Sequence, residues 1–129
     1  MVYGIGVDLV RVERIRRVLA RYGERFLKRV FTPREIAYCR SRARQGEYQF
    51  AQRFAAKEAF SKALGVGLRE GGIFWRDVEI LPDPRGKPEV SVSGRAAALC
   101  AARGINRMHV SLTDEADQAV AVVVLEILP

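Results

Sequence analysis

The chain has 129 residues, 49% hydrophobic and 29% charged, and carries a formal net charge of +7. That is one domain's length (1–129) with enough apolar content for a core, which excludes a disordered tail and a pair of ordinary domains. Its two cysteines, Cys39 and Cys100, form no CxxC pair, which argues against a disulfide scaffold and a zinc ribbon.

The first residues lack a basic leader, and the longest apolar run, Ala119 to Leu125, is far short of a membrane span. The expectation is a reduced cytoplasmic protein outside the membrane. The charge is uneven. Arg11 to Arg44 holds 12 basic and 3 acidic residues, a net of +9, and the rest of the chain sums to −2. Such a segment either attracts an acidic partner or is a solvated cationic helix face.

In chain order, Tyr3 to Val7 reads as a short strand ending at Asp8, its Gly4 and Gly6 marking close backbone approach or a bend. Val12, Ile15, Leu19 and Tyr22 follow at helical spacing, with Gly23 as the stop. Phe26 to Val30 reads as a helical turn. Thr32-Pro33-Arg34-Glu35 opens another helix, with Thr32 as N-cap and Pro33 first, running to about Arg42. Glu47 to Leu64, closed by Gly65, is the longest helix, with alanines at 51, 55, 59 and 63 permitting close packing.

Val66 to Trp75 is a glycine-rich loop. Asp77–Leu81 and Glu89–Val92 are strands about a proline-rich turn, and Ser93 caps a short helix to Ala102. Met108–Leu112 and Gln118–Leu128 form a hairpin joined by the acidic stretch 113–117. A strand, then helices, then strands predicts an α+β fold.

Two acids sit where a solvated carboxylate does not belong. Asp8 ends an apolar strand, and Glu58 lies mid-helix in Phe54-Ala55-Ala56-Lys57-Glu58-Ala59-Phe60. Buried carboxylates are paired or bind a cation, and two hard oxygen donors with open positions suit Mg²⁺. The plainer alternatives are an ion pair of Glu58 with Lys62 and helix capping by Asp8. Lys57, Ser61 and Lys62 place phosphate-seeking groups on the same helix, without a GxxxxGK[ST] loop. The only histidine, His109, lies in an apolar strand and reads as structural, and Trp75 reads as packing.

Gly4-Ile5-Gly6-Val7-Asp8 with the Arg14-Ile15 helix resembles the opening of the holo-acyl-carrier-protein synthases. Arg53-Phe54-Ala55-Ala56-Lys57-Glu58-Ala59-Phe60-Ser61-Lys62-Ala63-Leu64-Gly65 closely resembles their central signature, and Asp77–Ile80, Gly86-Lys87-Pro88 and His109–Leu112 follow in the family's order. The resemblance covers essentially the whole chain. It implies the 4′-phosphopantetheinyl transferase fold, an antiparallel sheet packed on a long central helix, and transfer of 4′-phosphopantetheine from coenzyme A to a serine of apo-acyl carrier protein. Adenosine 3′,5′-bisphosphate is the other product.

It also implies homotrimers with active sites between subunits, and Mg²⁺ held by Asp8 and Glu58 against the pyrophosphate. Glu58 and Lys62 are then the catalytic residues, with Lys62 neutralising charge on the leaving group. Gly65 borders the pantetheine channel, and Arg42, Arg44 and Arg53 are counted among the coenzyme A contacts. The proton acceptor stays open between a water on the metal, Glu58 and the carrier itself. Arg14, Arg21 and Arg25 match positions that meet the acidic carrier, with Phe26 and Phe54 as apolar contacts.

The chain departs from the family in one place. The family commonly has His-x-Ser-x-Ser-His in the last hairpin, whereas here Asp114 stands in the second histidine's position. Either Asp114 points away from the phosphates, which is the preferred reading, or it adds a ligand to the metal. The competing function classes are an RNA-binding module, which leaves Asp8 and Glu58 without a role, and an assembly that has lost activity.

Overall fold

The computed structural model describes residues 1–129. β1 (Val2–Arg11) is longer than the Tyr3–Val7 stretch predicted, because it pairs antiparallel with β5 (Gln118–Glu126) from Val2 to Arg11. β5 pairs antiparallel on its other side with β4 (Arg107–Glu115), so the sheet order is β1-β5-β4. The predicted five-residue connection between the last two strands is a tight turn instead: Ala116 takes a positive φ of 53°, and pairing runs up to Glu115 opposite Gln118.

The inner face of this sheet carries small residues at register. Gly4, Gly6 and Asp8 lie opposite Leu125, Val123 and Ala121. α4 (Gly46–Leu64) lies against that face with 14 of its 19 residues buried. The approach is backbone on backbone. A Cβ on Gly6 would sit 1.8 Å from the Ala59 carbonyl oxygen, and one on Gly4 2.0 Å from that of Ala63. Both glycines are therefore required by contact, and they bring Asp8 level with the Glu58 turn of α4.

α1 (Val12–Tyr22) leaves β1 directly and buries Val12 and Ile15. Its first amides are not capped by Asp8. The Val12 and Glu13 N–H groups donate to the Asp117 carbonyl (2.9 Å) and carboxylate (3.2 Å), tying α1 to the β4–β5 turn. α2 (Glu24–Val30) is a full helix where a turn was predicted. α3 (Pro33–Ser41) has the predicted capping box, with Thr32 and Glu35 exchanging backbone and side-chain hydrogen bonds. A 3₁₀ turn (Ala43–Gln45) leads into α4, and Gly65 ends it in the left-handed conformation, φ 81°.

A second 3₁₀ turn (Trp75–Asp77) precedes the hairpin of β2 (Val78–Pro82) and β3 (Pro88–Val92). α5 (Gly94–Ala102) follows. The Ser93 side chain does not cap it; the Ala96 N–H donates to the Asp77 carboxylate instead. The buried apolar side chains form one cluster of 27 residues, in the predicted α+β arrangement of an antiparallel sheet on a long helix. No helix is long and apolar enough to cross a membrane.

The core contains one ion pair. Lys57 and Glu35 are both fully buried. The Lys57 ammonium donates to Glu35 Oε1 (2.7 Å), the Trp75 carbonyl (3.0 Å) and the Val78 carbonyl (2.6 Å), which uses all three of its protons. Glu35 accepts in addition from the Thr32 and Ile80 N–H groups. This knot joins α3, α4, the second 3₁₀ turn and β2.

Candidate active site

Asp8 and Glu58 face each other across the β1–α4 seam. Partial burial pushes the Glu58 carboxyl above its ordinary range, and the Asp8 charge pushes it further; Arg14 and Lys62 pull the other way. The predicted Glu58–Lys62 pair is not made. Lys62 Nζ donates to Asp8 Oδ1 (3.1 Å) and to the Val7 carbonyl (3.0 Å), with its side chain still 54% exposed. Two carboxylates and one exposed ammonium thus share one spot at the surface. No three His, Cys, Asp or Glu side chains converge anywhere in the chain to form a metal cluster.

The other groups expected on α4 separate. Lys57 belongs to the core, not to a phosphate site, because it points a third of a turn or more away from Lys62 into the Glu35 knot. Ser61 is nearly buried, its hydroxyl donating to the Glu58 carbonyl at 2.8 Å. Arg53 is also corrected. Only 2% of it is exposed, its Nε donates to the Ile80 carbonyl (2.9 Å) and its Nη1 to Gln49 Oε1 (2.8 Å), so it pins α4 to β2 rather than reaching a phosphate. Gly65 is open on the surface beside the end of α4. Arg42 and Arg44 are exposed at the opposite end of that helix, and about 18 Å of helix separates Gly46 from Glu58. The structure does not bring these arginines to the carboxylates within one chain.

Asp114 makes no contact with Asp8 or Glu58. It lies on the α4 side of β4 and accepts from Gln52 Nε2 at 2.5 Å, in a small polar hollow with Gln45, Tyr48 and Gln49. His109 lies on the outer face and pairs with Glu126. The thiols are no nucleophiles: both are buried, and burial pushes Cys39 up to about 12 and Cys100 up as well.

The basic segment sorts itself by pairing. Arg16 pairs with Glu13, Glu47 and Asp117, Arg17 with Glu13, Arg34 with Glu79, and Arg40 with Glu24. Arg14, Arg21, Arg25, Lys28 and Arg29 have no carboxylate partner and lie on α1 and α2. Arg14 stacks its guanidinium 5.4 Å from the Phe54 ring centre, Phe54 stacks on Trp75 at 4.9 Å, and Phe26 is 6.3 Å from Phe54. Phe54 is 6% exposed, so it supports this face from below rather than presenting itself to a partner. Beside it, Val18, Tyr22, Arg25, Phe26 and Arg29 line a groove of about 400 Å³. Because Arg14 also acts on Glu58, the unpaired basic face and the carboxylate pair are adjacent.

A small α+β chain with paired carboxylates beside a lysine and an uncompensated basic face has close counterparts. A sequence model of the 4′-phosphopantetheinyl transferase superfamily matches residues 4–123, and the chain belongs to that superfamily. It is 47% identical over 126 residues to the holo-[acyl-carrier-protein] synthase of Geotalea daltonii, covering 98% of this chain and 99% of that one. The crystal structure of the holo-[acyl-carrier-protein] synthase from Neisseria meningitidis superposes with a TM-score of 0.88 at 39% identity, over 98% and 99% of the two chains. That of the Helicobacter pylori synthase in complex with coenzyme A gives a TM-score of 0.83 at 32% identity, over 95% and 99%.

Proposed function

We propose that this chain is a holo-[acyl-carrier-protein] synthase: it transfers 4′-phosphopantetheine from coenzyme A to a serine of apo-acyl carrier protein, requires Mg²⁺ and releases adenosine 3′,5′-bisphosphate. The observation that carries this reading is the half-buried Glu58 facing Asp8 next to Lys62 and the unpaired basic face. The relatives' names and the coenzyme A complex support the substrates.

The donor set fits a divalent cation. Two carboxylates held close repel each other, and partial burial adds to the strain on Glu58, so a cation between them relieves both. With only two protein oxygens available, the ion suits Mg²⁺, which keeps waters and substrate phosphates as its other ligands. Bound there, it would supply charge stabilisation for the phosphoryl oxygens.

The residues of the chain do the rest. Lys62, exposed and hydrogen-bonded to Asp8, lies where its ammonium would meet a pyrophosphate oxygen of the substrate, and Asp8 and Glu58 would hold the cation beside it. The carrier's serine oxygen attacks the β-phosphorus and gives up its proton to the Glu58 carboxylate, to water or to a base of the carrier, the bond from that phosphorus to the bridging oxygen breaks, and Lys62 holds the charge left on the departing adenosine 3′,5′-bisphosphate. Positioning and preorganised charge carry most of such a reaction. Arg14, Arg21 and Arg25 receive the acidic carrier, which sets its on-rate and salt dependence more than the chemistry. Intact-mass spectrometry of apo-acyl carrier protein with this chain, coenzyme A and Mg²⁺ is expected to show the gain of one phosphopantetheine, abolished by chelator. No gain on any carrier would overturn the reading.

The same proposal includes a homotrimer with active sites between subunits. The outer face of the sheet presents Ile5 (65% exposed), Val7 (54%), Leu9 (54%) and Val122 (37%) in adjacent register. A contiguous apolar face of this kind marks an association surface. A neighbouring copy is also the natural source of the arginines that lie too far along α4 in the same chain. Sedimentation of the purified chain is expected to give three times its 14.5 kDa mass, and a monomer would refute the assembly.

A further inference from the structure

A second cleft, of about 680 Å³, shares Arg29 of α2 with the groove at Tyr22 and Phe26. It is walled by Lys28 and Arg29 of α2, Thr32 and Pro33 at the start of α3, and Phe74 and Arg76 of the loop and turn before β2. Lys28, Arg29 and Arg76 are exposed and none makes an ion pair. The one carboxylate in the wall, Asp77, is already engaged by the Phe74 and Ala96 N–H groups. Phe74 is 59% exposed although its neighbours Ile73 and Trp75 pack inward. A solvent-facing phenyl ring among three unpaired cations is a mixed apolar and basic contact surface. Arg29 lines both this cleft and the α1–α2 groove, which makes the two one continuous surface.

We infer that the cleft formed by Lys28, Arg29, Phe74 and Arg76 extends the docking surface for the acidic carrier protein, beyond the Arg14–Arg21–Arg25 face. The inference rests on the proposed function above. The occupant follows from charge complementarity and from continuity: a carrier seated on the α1–α2 groove reaches the cleft by passing Arg29. Phe74 gives an apolar anchor at its far end, and the cations meet carboxylates around it.

The test compares K28E/R76E and F74A with the parent chain. Transfer is measured against carrier and against coenzyme A separately, and carrier binding by titration calorimetry. All three substituted positions are exposed, and circular dichroism checks the fold. K28E/R76E is expected to raise KM and Kd for the carrier about tenfold at low salt, with kcat and the coenzyme A KM unchanged. The difference should shrink as salt is raised. F74A is expected to raise the carrier KM several-fold with no salt dependence. Unchanged carrier KM and Kd in both variants overturn the inference. So does a loss confined to binding of a single-stranded RNA probe, which would assign the cleft to nucleic acid. If the parent itself transfers nothing, the proposed function fails; the binding titration then still decides whether the cleft takes the carrier.

Discussion

Asp8→Asn and Glu58→Gln are each expected to lower kcat/KM for phosphopantetheine transfer by about 10²–10³-fold while the chain stays folded. Each removes one of the two carboxylates placed to hold the proposed cation, and no third acid lies close enough to substitute. The two variants separate further in stability. Glu58 titrates above its ordinary value of 4.5 in the folded chain, so its ionisation opposes folding at any pH above that value.

Well below 4.5 the carboxyl is protonated in the folded and unfolded chain alike, and Glu58→Gln changes little through this effect. At neutral pH and without metal, Glu58→Gln should therefore melt higher than the parent. Adding Mg²⁺ should raise the parent's melting temperature and leave both variants where they were. Thermal scans at acid and neutral pH, with Mg²⁺ or with chelator, test this alongside the rates. A Glu58→Gln chain that transfers within a few-fold of the parent would remove Glu58 from the site.

Asp8 and Glu58 were legible in the sequence because a carboxylate in an apolar segment contradicts its surroundings, and that contradiction needs no partner to be visible. Gly4 and Gly6 were legible for a similar reason: glycine in a strand asks for a close neighbour, and α4 is that neighbour. The capping box was legible because all its parts lie within four residues. What escaped depends on pairs far apart in the chain. Lys57 looks like a phosphate-seeking lysine until Glu35, 22 residues earlier, is folded against it. Arg53 belongs to the family's signature, yet Ile80 and Gln49 hold its guanidinium. Phe54 reads as a contact residue until Arg14 and Trp75 cover it. Asp114 has a partner, Gln52, 62 residues away. Side-chain chemistry marks the residues that must have a partner; only the tertiary fold says which partner it is.

Lys57→Met is expected to destabilise the chain by about 3–5 kcal/mol, a large share of the roughly 5–15 kcal/mol that holds an ordinary domain together. It would leave Glu35 as a buried charge and strand the Val78 carbonyl without a donor, while the Trp75 carbonyl keeps only the Val78 N–H. Urea denaturation followed by circular dichroism measures the loss, and Glu35→Gln provides a milder second variant if Lys57→Met does not fold. The double variant Lys57→Met/Glu35→Leu makes the argument sharper. A buried ion pair is often replaced by apolar residues at no net cost, because the expense of desolvating both charges disappears with them. Here the pair is also the only partner of other groups. Glu35 accepts from the Thr32 and Ile80 N–H groups, so removing both charges leaves two donors and the Val78 carbonyl unsatisfied. The double variant should therefore stay about 2 kcal/mol or more below the parent. Full recovery would show that these backbone groups find other partners.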